Sequence, residues 1–347
     1  MNYQGKVAFR VDAAHHIGSG HYLRCIKLAR HLKRKNIQSI FFSRKHKLFE
    51  VRDLLKDEFE LFYIGKSSEI QSTDDTQWLG VSQSYDFKEF LSTTIKNKVD
   101  FDALIIDHYS LDFEWHKMFS KVFGKKKIMV IDDLANKKYF SDIILNPNLR
   151  KMNYEKLNLK EKVKLFLGSP YIFIERDKLL KVKKAKASNV VGAFFGYGCS
   201  KDFIEKFVKA YKNIEFFNSY QLVVITRYFQ ELDEVKQVEF VGFQEDFLSF
   251  IGNCDMFIGA AGTSSYERFM LNVPSILFSL ADNQKPFLNY FKVNNLAYTY
   301  DDVENFKNSL FSYRDYELLK SYTENARKII SNADISEIAA VVEGNLL

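Results

Sequence analysis

The chain has 347 residues, 46% of them hydrophobic, 27% charged and 16% aromatic, enough to bury one or two full-sized cores. That aromatic content excludes intrinsic disorder, four prolines and fifteen glycines exclude collagen-like and proline-rich classes, and no apolar run reaches the roughly 18–20 residues of a membrane span. A net charge of +6, from 50 basic and 44 acidic residues, is too mild for a nucleic-acid-binding stripe but suits a cleft for an anionic metabolite. Three cysteines, Cys25, Cys199 and Cys254, are widely spaced without C-x-x-C, which argues against a disulfide framework or a structural zinc site. With no signal-peptide pattern at the N-terminus, a cytoplasmic protein with free thiols is expected.

In chain order, Lys6 to Asp12 reads as a strand, Gly18-Ser19-Gly20 as a turn, and His21 to Lys35 as a helix with apolar residues at Leu23, Ile26, Leu28, Ala29 and Leu32. Ile37 to Arg44 supplies a second strand, so the opening unit is βαβ and implies a parallel sheet. The runs Phe101 to Tyr109 and Lys126 to Leu134 fit strands buried on both faces that deliver acids to the carboxyl edge, and Ser141 to Asn148 adds another short strand. The lysine-rich stretch Lys178 to Asn189 reads as a solvated linker. After it a second α/β series begins at Val190, with a helix from Lys201, strand-like YQLVVITR, VEFVGF and DMFIGAAG, and a mostly helical tail from Asp315. The expected architecture is α/β, with two Rossmann-like domains facing across a cleft, residues 1–187 and 188–347.

Four places could carry chemistry. Gly18 and Gly20 allow a tight turn before a helix whose free N–H groups attract anions, and His21 opens that helix. The segment is neither G-x-G-x-x-G nor a P-loop, so dinucleotide and P-loop NTPase readings fall away. His21 is either structural or a base, and His15 and His16 share its loop. Second, Gly259 to Glu267 places small residues and then hydroxyls at a helix start. Gly262, Thr263 and Ser264 either approach a pyrophosphate or merely cap the first turn, and Glu267 either offsets the helix dipole or pairs with a ribose diol. Third, Asn283 and Gln284 follow a strand, where two amides could serve a sugar or form an ordinary turn. Fourth, Asp107-His108-Tyr109 and Asp132-Asp133 end neighbouring strands; further ligands at metal-binding spacing are missing, so no metal is expected, and loop capping is the default for Asp132 and Asp133.

Taken together, FRVDAAHHIGSGHYLRCIKLA, TQWLGVSQ, IIDHYSLD, IDDLANKKYFSDIILNPN and GAAGTSSYERFMLNVPSILFSLADNQ resemble the UDP-2,4-diacetamido-2,4,6-trideoxy-β-L-altropyranose hydrolase family of pseudaminic acid biosynthesis, from about Val7 to Gln284. The resemblance implies a GT-B-like fold and cofactor-free, metal-independent hydrolysis of a UDP-sugar to UDP and free sugar with inversion, on the route to a surface glycan. It implies His21 as the base for water, Tyr109 and Asn283 near sugar and water, Gly262 to Ser264 on the diphosphate, Glu267 on the ribose and the backbone near Phe243 on the uracil. Where the family has G-G-x-D, this chain has Phe195 to Ser200, and Ser169 to Arg176 only approximates G-P-x-Y-A-L-L-R. The partner is then a UDP-sugar, with neither nucleic acid nor membrane span, and the chain is expected to be a monomer. Two other readings stay open: a GT-B glycosyltransferase with a UDP-sugar donor, and a nucleotide-sugar-binding protein without turnover.

Overall fold

The computed structural model describes residues 3–46, 50–66, 75–154, 156–183, 189–280 and 284–347. The chain divides into two compact units: residues 1–173 with 333–347, and residues 174–332.

The first unit is built on seven parallel strands: β1 (Gly5–Val11), β2 (Ile37–Lys45), β3 (Glu60–Lys66), β4 (Ala103–Asp107), β5 (Lys127–Ile131), β6 (Ile143–Asn146) and β7 (Lys164–Leu167). Their order in the sheet is β3-β2-β1-β4-β5-β6-β7. The first six follow the dinucleotide-fold order, which reverses between β1 and β4 and leaves a crevice at the carboxyl ends there. The near-continuous apolar runs arise because both faces are covered. Val7, Phe9 and Val11 point to one side, onto Cys25, Leu28 and Leu32 of α1 (Gly20–Arg34) and Ile338 and Val342 of α12 (Ile335–Asn345). Ala8, Leu104 and Ile106 point to the other, onto Phe87 and Phe90 of α3 (Gln83–Lys96) and Trp115 and Phe119 of α4 (Phe113–Phe123). The period of two along each strand makes this division.

The second unit repeats the plan with six parallel strands: β8 (Val190–Phe194), β9 (Gln221–Ile225), β10 (Val238–Val241), β11 (Met256–Ala260), β12 (Ser275–Phe278) and β13 (Tyr298–Tyr300). They run in the order β10-β9-β8-β11-β12-β13, the same permutation, with its reversal between β8 and β11. Ile204, Phe207, Val208 and Tyr211 of α6 (Lys201–Lys212) seal one face against Val191, Ala193, Val224 and Ile258. Two Rossmann-like units are therefore present.

The boundary differs from the expected one. The first unit ends at Phe173, whose ring packs in its core beneath Arg24, so the chain leaves it before the lysine-rich stretch is reached. That stretch is no bare linker in its described part: Arg176–Leu179 is a short helix, and Leu179 and Val182 rest on Ile251, Phe257 and Leu271 of the second unit. The final helix, α12, belongs to the first unit because Ile338 and Val342 complete the core beside α1.

Candidate active site

In the first unit, the adjacency of β1 and β4 brings the start of α1 against the end of β4. His21 Nδ1 lies 2.7 Å from Asp107 Oδ1. A carboxylate accepts and an arginine only donates, so this short contact keeps the ring proton on Nδ1, although Arg24 Nη2 also lies 3.2 Å away. Nε2 is thereby left as the proton acceptor, the arrangement of a base held by an orienting acid. The His21 side chain is 11% exposed and that of Asp107 is fully buried.

Arg24 sits one helical turn after His21, on the same face of α1. It donates through Nε to Asp107 Oδ2 and through Nη2 to Asp107 Oδ1, both at 2.6 Å, and Nη2 also pairs with Asp133 Oδ2 at 2.7 Å. Asp133 further accepts from the Tyr109 hydroxyl at 2.6 Å and from Asn148 Nδ2 at 2.9 Å. Burial alone would raise both carboxyl groups, but Arg24 and His21 hold Asp107 and Asp133 below the ordinary carboxylate range. Burial, with Asp133 beside it, also pushes the phenol of Tyr109 far up, so it stays protonated and donates. The Tyr109 ring meets His21 edge-on at 4.5 Å, and Trp78 stacks on Tyr109 at 5.2 Å, which fixes the imidazole laterally.

Of the other histidines, His108 is fully engaged and His16 packs on a second imidazole. His108 is buried with Nε2 3.1 Å from Asp12 and Nδ1 accepting from the Ser110 N–H, so neither ring nitrogen is open. His16 meets His46 edge-on at 5.4 Å, and burial lowers its pKa. Asp132 accepts from the Ala135 N–H and the Tyr154 hydroxyl, as a loop-capping acid does. Asp133 is not such a cap: it is part of the charge cluster on Arg24. Gly18 has φ +79°, where a side chain would be strained, whereas Gly20 has an ordinary helical start with open space at its Cβ position.

In the second unit the corresponding crevice is formed by the loops after β8 and β11. A Cβ on Gly259 would lie 2.3 Å from the Phe194 carbonyl oxygen, so glycine permits this close strand pairing. The chain then passes Gly262, with open space above it, and enters the short helix α8 (Ser264–Met270) at Thr263. The side chain of Thr263 makes no cap hydrogen bond, so its hydroxyl is not spent on the first turn. Ser264 is half-buried at the helix start and Glu267 is buried. Beneath the loop lies Arg268, buried, donating to Ala260 O at 3.0 Å, Ser264 O at 3.3 Å and Ser265 Oγ at 2.7 Å. It has no carboxylate within ion-pair distance among the described residues, and burial pushes it down to about 9. Phe243, after β10, is 60% exposed beside Tyr197, with ring centroids 6.2 Å apart. Gln284 spends its side-chain carbonyl on the Leu280 N–H at 2.9 Å. Asn283 lies outside the described residues.

Thus His21, Asp107, Tyr109 and Asp133 meet in one unit, and Gly262, Thr263, Ser264 and Glu267 in the other. Arg24, Trp78 and Arg268 carried no expectation. Arg24 was reachable from its i+3 spacing to His21; Arg268, a charge one residue after Glu267, offered no sign that it would be buried. Among the described residues no three metal-binding side chains gather, and no helix is long and apolar enough to cross a membrane.

No family model matches the chain, and no curated protein matches it. Solved structures do. The chain is similar to the glycotransferase of kitacinnamycin (12% identity, 99% of each chain, TM-score 0.63) and to Acinetobacter baumannii MurG (12%, 98% of this chain and 99% of that one, 0.62). It is likewise similar to the spinosyn rhamnosyltransferase SpnG complexed with thymidine diphosphate (9%, 98% and 99%, 0.68). The chain has the GT-B fold. At such identities the likeness establishes the fold alone, and several of the similar structures are named as sugar transferases. The expected hydrolysis of a diacetamido-trideoxyhexose donor is corrected on this finding, which favours the transferase reading. The physical reason for the error is that a base and a diphosphate loop are common to both reactions; the motifs do not encode whether water or an acceptor hydroxyl meets the base.

Proposed function

We propose that this chain is a glycosyltransferase that moves a sugar from a nucleoside diphosphate donor, expected to be a UDP-sugar, to an acceptor hydroxyl. The observation that carries the reading is the His21–Asp107 contact, which presents Nε2 as a base at the strand-order reversal of a GT-B unit. His21 Nε2 takes the acceptor's hydroxyl proton as that oxygen bonds to the anomeric carbon. The bond from that carbon to the diphosphate oxygen breaks, its electron pair leaves with the diphosphate, and a single displacement inverts the centre.

A diphosphate leaves readily when its developing charge is held, so no strong acid is required. In the second unit, the loop from Gly262 to Ser264 with its uncommitted Thr263 hydroxyl is assigned to the diphosphate, Glu267 to the ribose and Phe243 to the base. Tyr109, Asn283 and Gln284 are assigned to the sugar, and Gly18 and Gly20 to the backbone turn that sets His21.

The test incubates purified protein with UDP-sugars, with and without a panel of hydroxyl acceptors, and follows nucleotide release. Release that requires an acceptor is expected. Release without any acceptor, or no release with every donor and acceptor, would overturn the reading.

A further inference from the structure

Three charged groups lie by His21: Asp107 from the end of β4, Arg24 from the next turn of α1, and, held by the same Arg24, Asp133 from the loop after β5. Tyr109 and Trp78 pack edge-on against the ring as neutral groups, and Lys137 binds the Tyr109 and His108 carbonyls. Two carboxylates beside an imidazole favour its protonated form, and a protonated ring cannot accept a proton. Arg24 bridges both carboxylates with contacts of 2.6 and 2.7 Å, so the cluster presents one negative charge to the ring rather than two.

We propose that Arg24 is the positioning residue that keeps His21 competent as a base, by cancelling one of the two carboxylate charges beside the imidazole. This rests on His21 being the base, yet its physical content is readable without substrate. The arginine is well suited to the task because its planar fork spans two acids that a lysine ammonium would serve as a point charge. The charge count gives opposite signs for the two neighbours. Loss of Arg24 leaves two charges on the ring and raises its titration midpoint; neutralising Asp133 leaves none and lowers it.

The experiment is an NMR titration of the His21 ring in the full chain, assigned by its disappearance in His21→Gln, in wild type, Arg24→Met, Arg24→Lys and Asp133→Asn. Arg24→Met should move the midpoint up by about 1–3 pH units, Arg24→Lys should stay close to wild type, and Asp133→Asn should move it down. An unmoved or lowered midpoint in Arg24→Met, or Arg24→Lys behaving as Arg24→Met, overturns the proposal. If Arg24→Met does not fold, Asp133→Asn decides alone, and an unchanged or raised midpoint there overturns it. The acidic limb of acceptor-dependent turnover should shift with the ring in each folded variant. A ring that shifts while the limb stays put leaves Arg24's effect intact and contradicts His21 as the base.

Discussion

Arg24 grips Asp107 with two parallel contacts of 2.6 Å, Nε to Oδ2 and Nη2 to Oδ1, and both side chains are shut off from solvent. A pair in this setting contributes little net stability as a whole, but removing one member strands the other. Asp107→Ala should therefore destabilise the first unit by about 3–5 kcal/mol in urea unfolding. Asp107→Asn, which keeps an acceptor oxygen, should cost less while weakening the hold on the His21 tautomer. Equal stability of Asp107→Ala and wild type would contradict the described burial.

The same carboxylates give the pH dependence. Asp12, Asp86, Asp107 and Asp133 are all held below the ordinary carboxylate range, chiefly against burial by Arg10 for the first two and Arg24 for the others. A depressed native pKa adds stability that is complete above the unfolded value of about 4 and is lost as pH falls toward the native value. The carboxylate contribution should thus be flat from neutral pH to about 5 and fall steeply below about 4, on top of a decline that begins near 6.5 as the unfolded chain protonates His16, His108 and His116, whose native pKa values burial lowers. Asp133→Asn should flatten part of that acid limb. A limb of the same steepness in the variant would count against the Arg24–Asp133 pairing.

Gly18 and Gly20 separate on geometry. Gly18 at φ +79° is in the left-handed region, so Gly18→Ala should cost about 1–2 kcal/mol. Gly20 begins α1 with nothing within 4 Å of a Cβ, so Gly20→Ala should be neutral or slightly stabilising. Thermal unfolding of the two variants checks the contrast, and equal losses would refute it.

The opening βαβ unit was legible because Val7, Phe9 and Val11 alternate and the apolar residues of α1 recur at helical spacing. The parallel strands ending in acids were legible for the same reason. Two things were not. The pairing of His21 with Asp107, 86 residues apart, depends on β1 and β4 lying side by side, a strand order that local pattern does not contain. The unit boundary was placed after the lysines because charge marks solvent exposure, whereas Leu179 and Val182 inside that stretch find apolar partners. Asp133 was read as a loop cap like its neighbour Asp132, since sequence adjacency cannot tell which of two acids turns toward an arginine on another element.

Among the described residues, Arg268 is a buried cation that bonds only to neutral oxygens: two carbonyls and a hydroxyl. Burial pushes its pKa down, the sign of a charge whose desolvation is poorly repaid, so holding it in the fold costs stability. Arg268→Met should raise the unfolding free energy at pH 7, by about 1–4 kcal/mol if the apolar chain packs well on Phe257. A destabilised variant at pH 7 would mean that the carbonyl contacts outweigh the desolvated charge.

Thr263 and Phe243 should separate binding from folding. The Thr263 hydroxyl does no capping and Phe243 is mostly exposed, so Thr263→Val and Phe243→Ala should leave thermal stability within about 0.5 kcal/mol of wild type. Both should weaken binding of UDP measured by calorimetry. Unchanged UDP affinity in both variants would remove these residues from the donor site.

The most direct measurement of the central claim is acceptor-dependent nucleotide release by His21→Ala beside wild type, with UDP affinity determined on the same preparations. The account predicts release by wild type only in the presence of acceptor, a fall of about 10²–10⁴-fold in His21→Ala, and nearly equal UDP affinity. Retention of more than about a tenth of wild-type turnover by His21→Ala, well inside the general-base range, would contradict it.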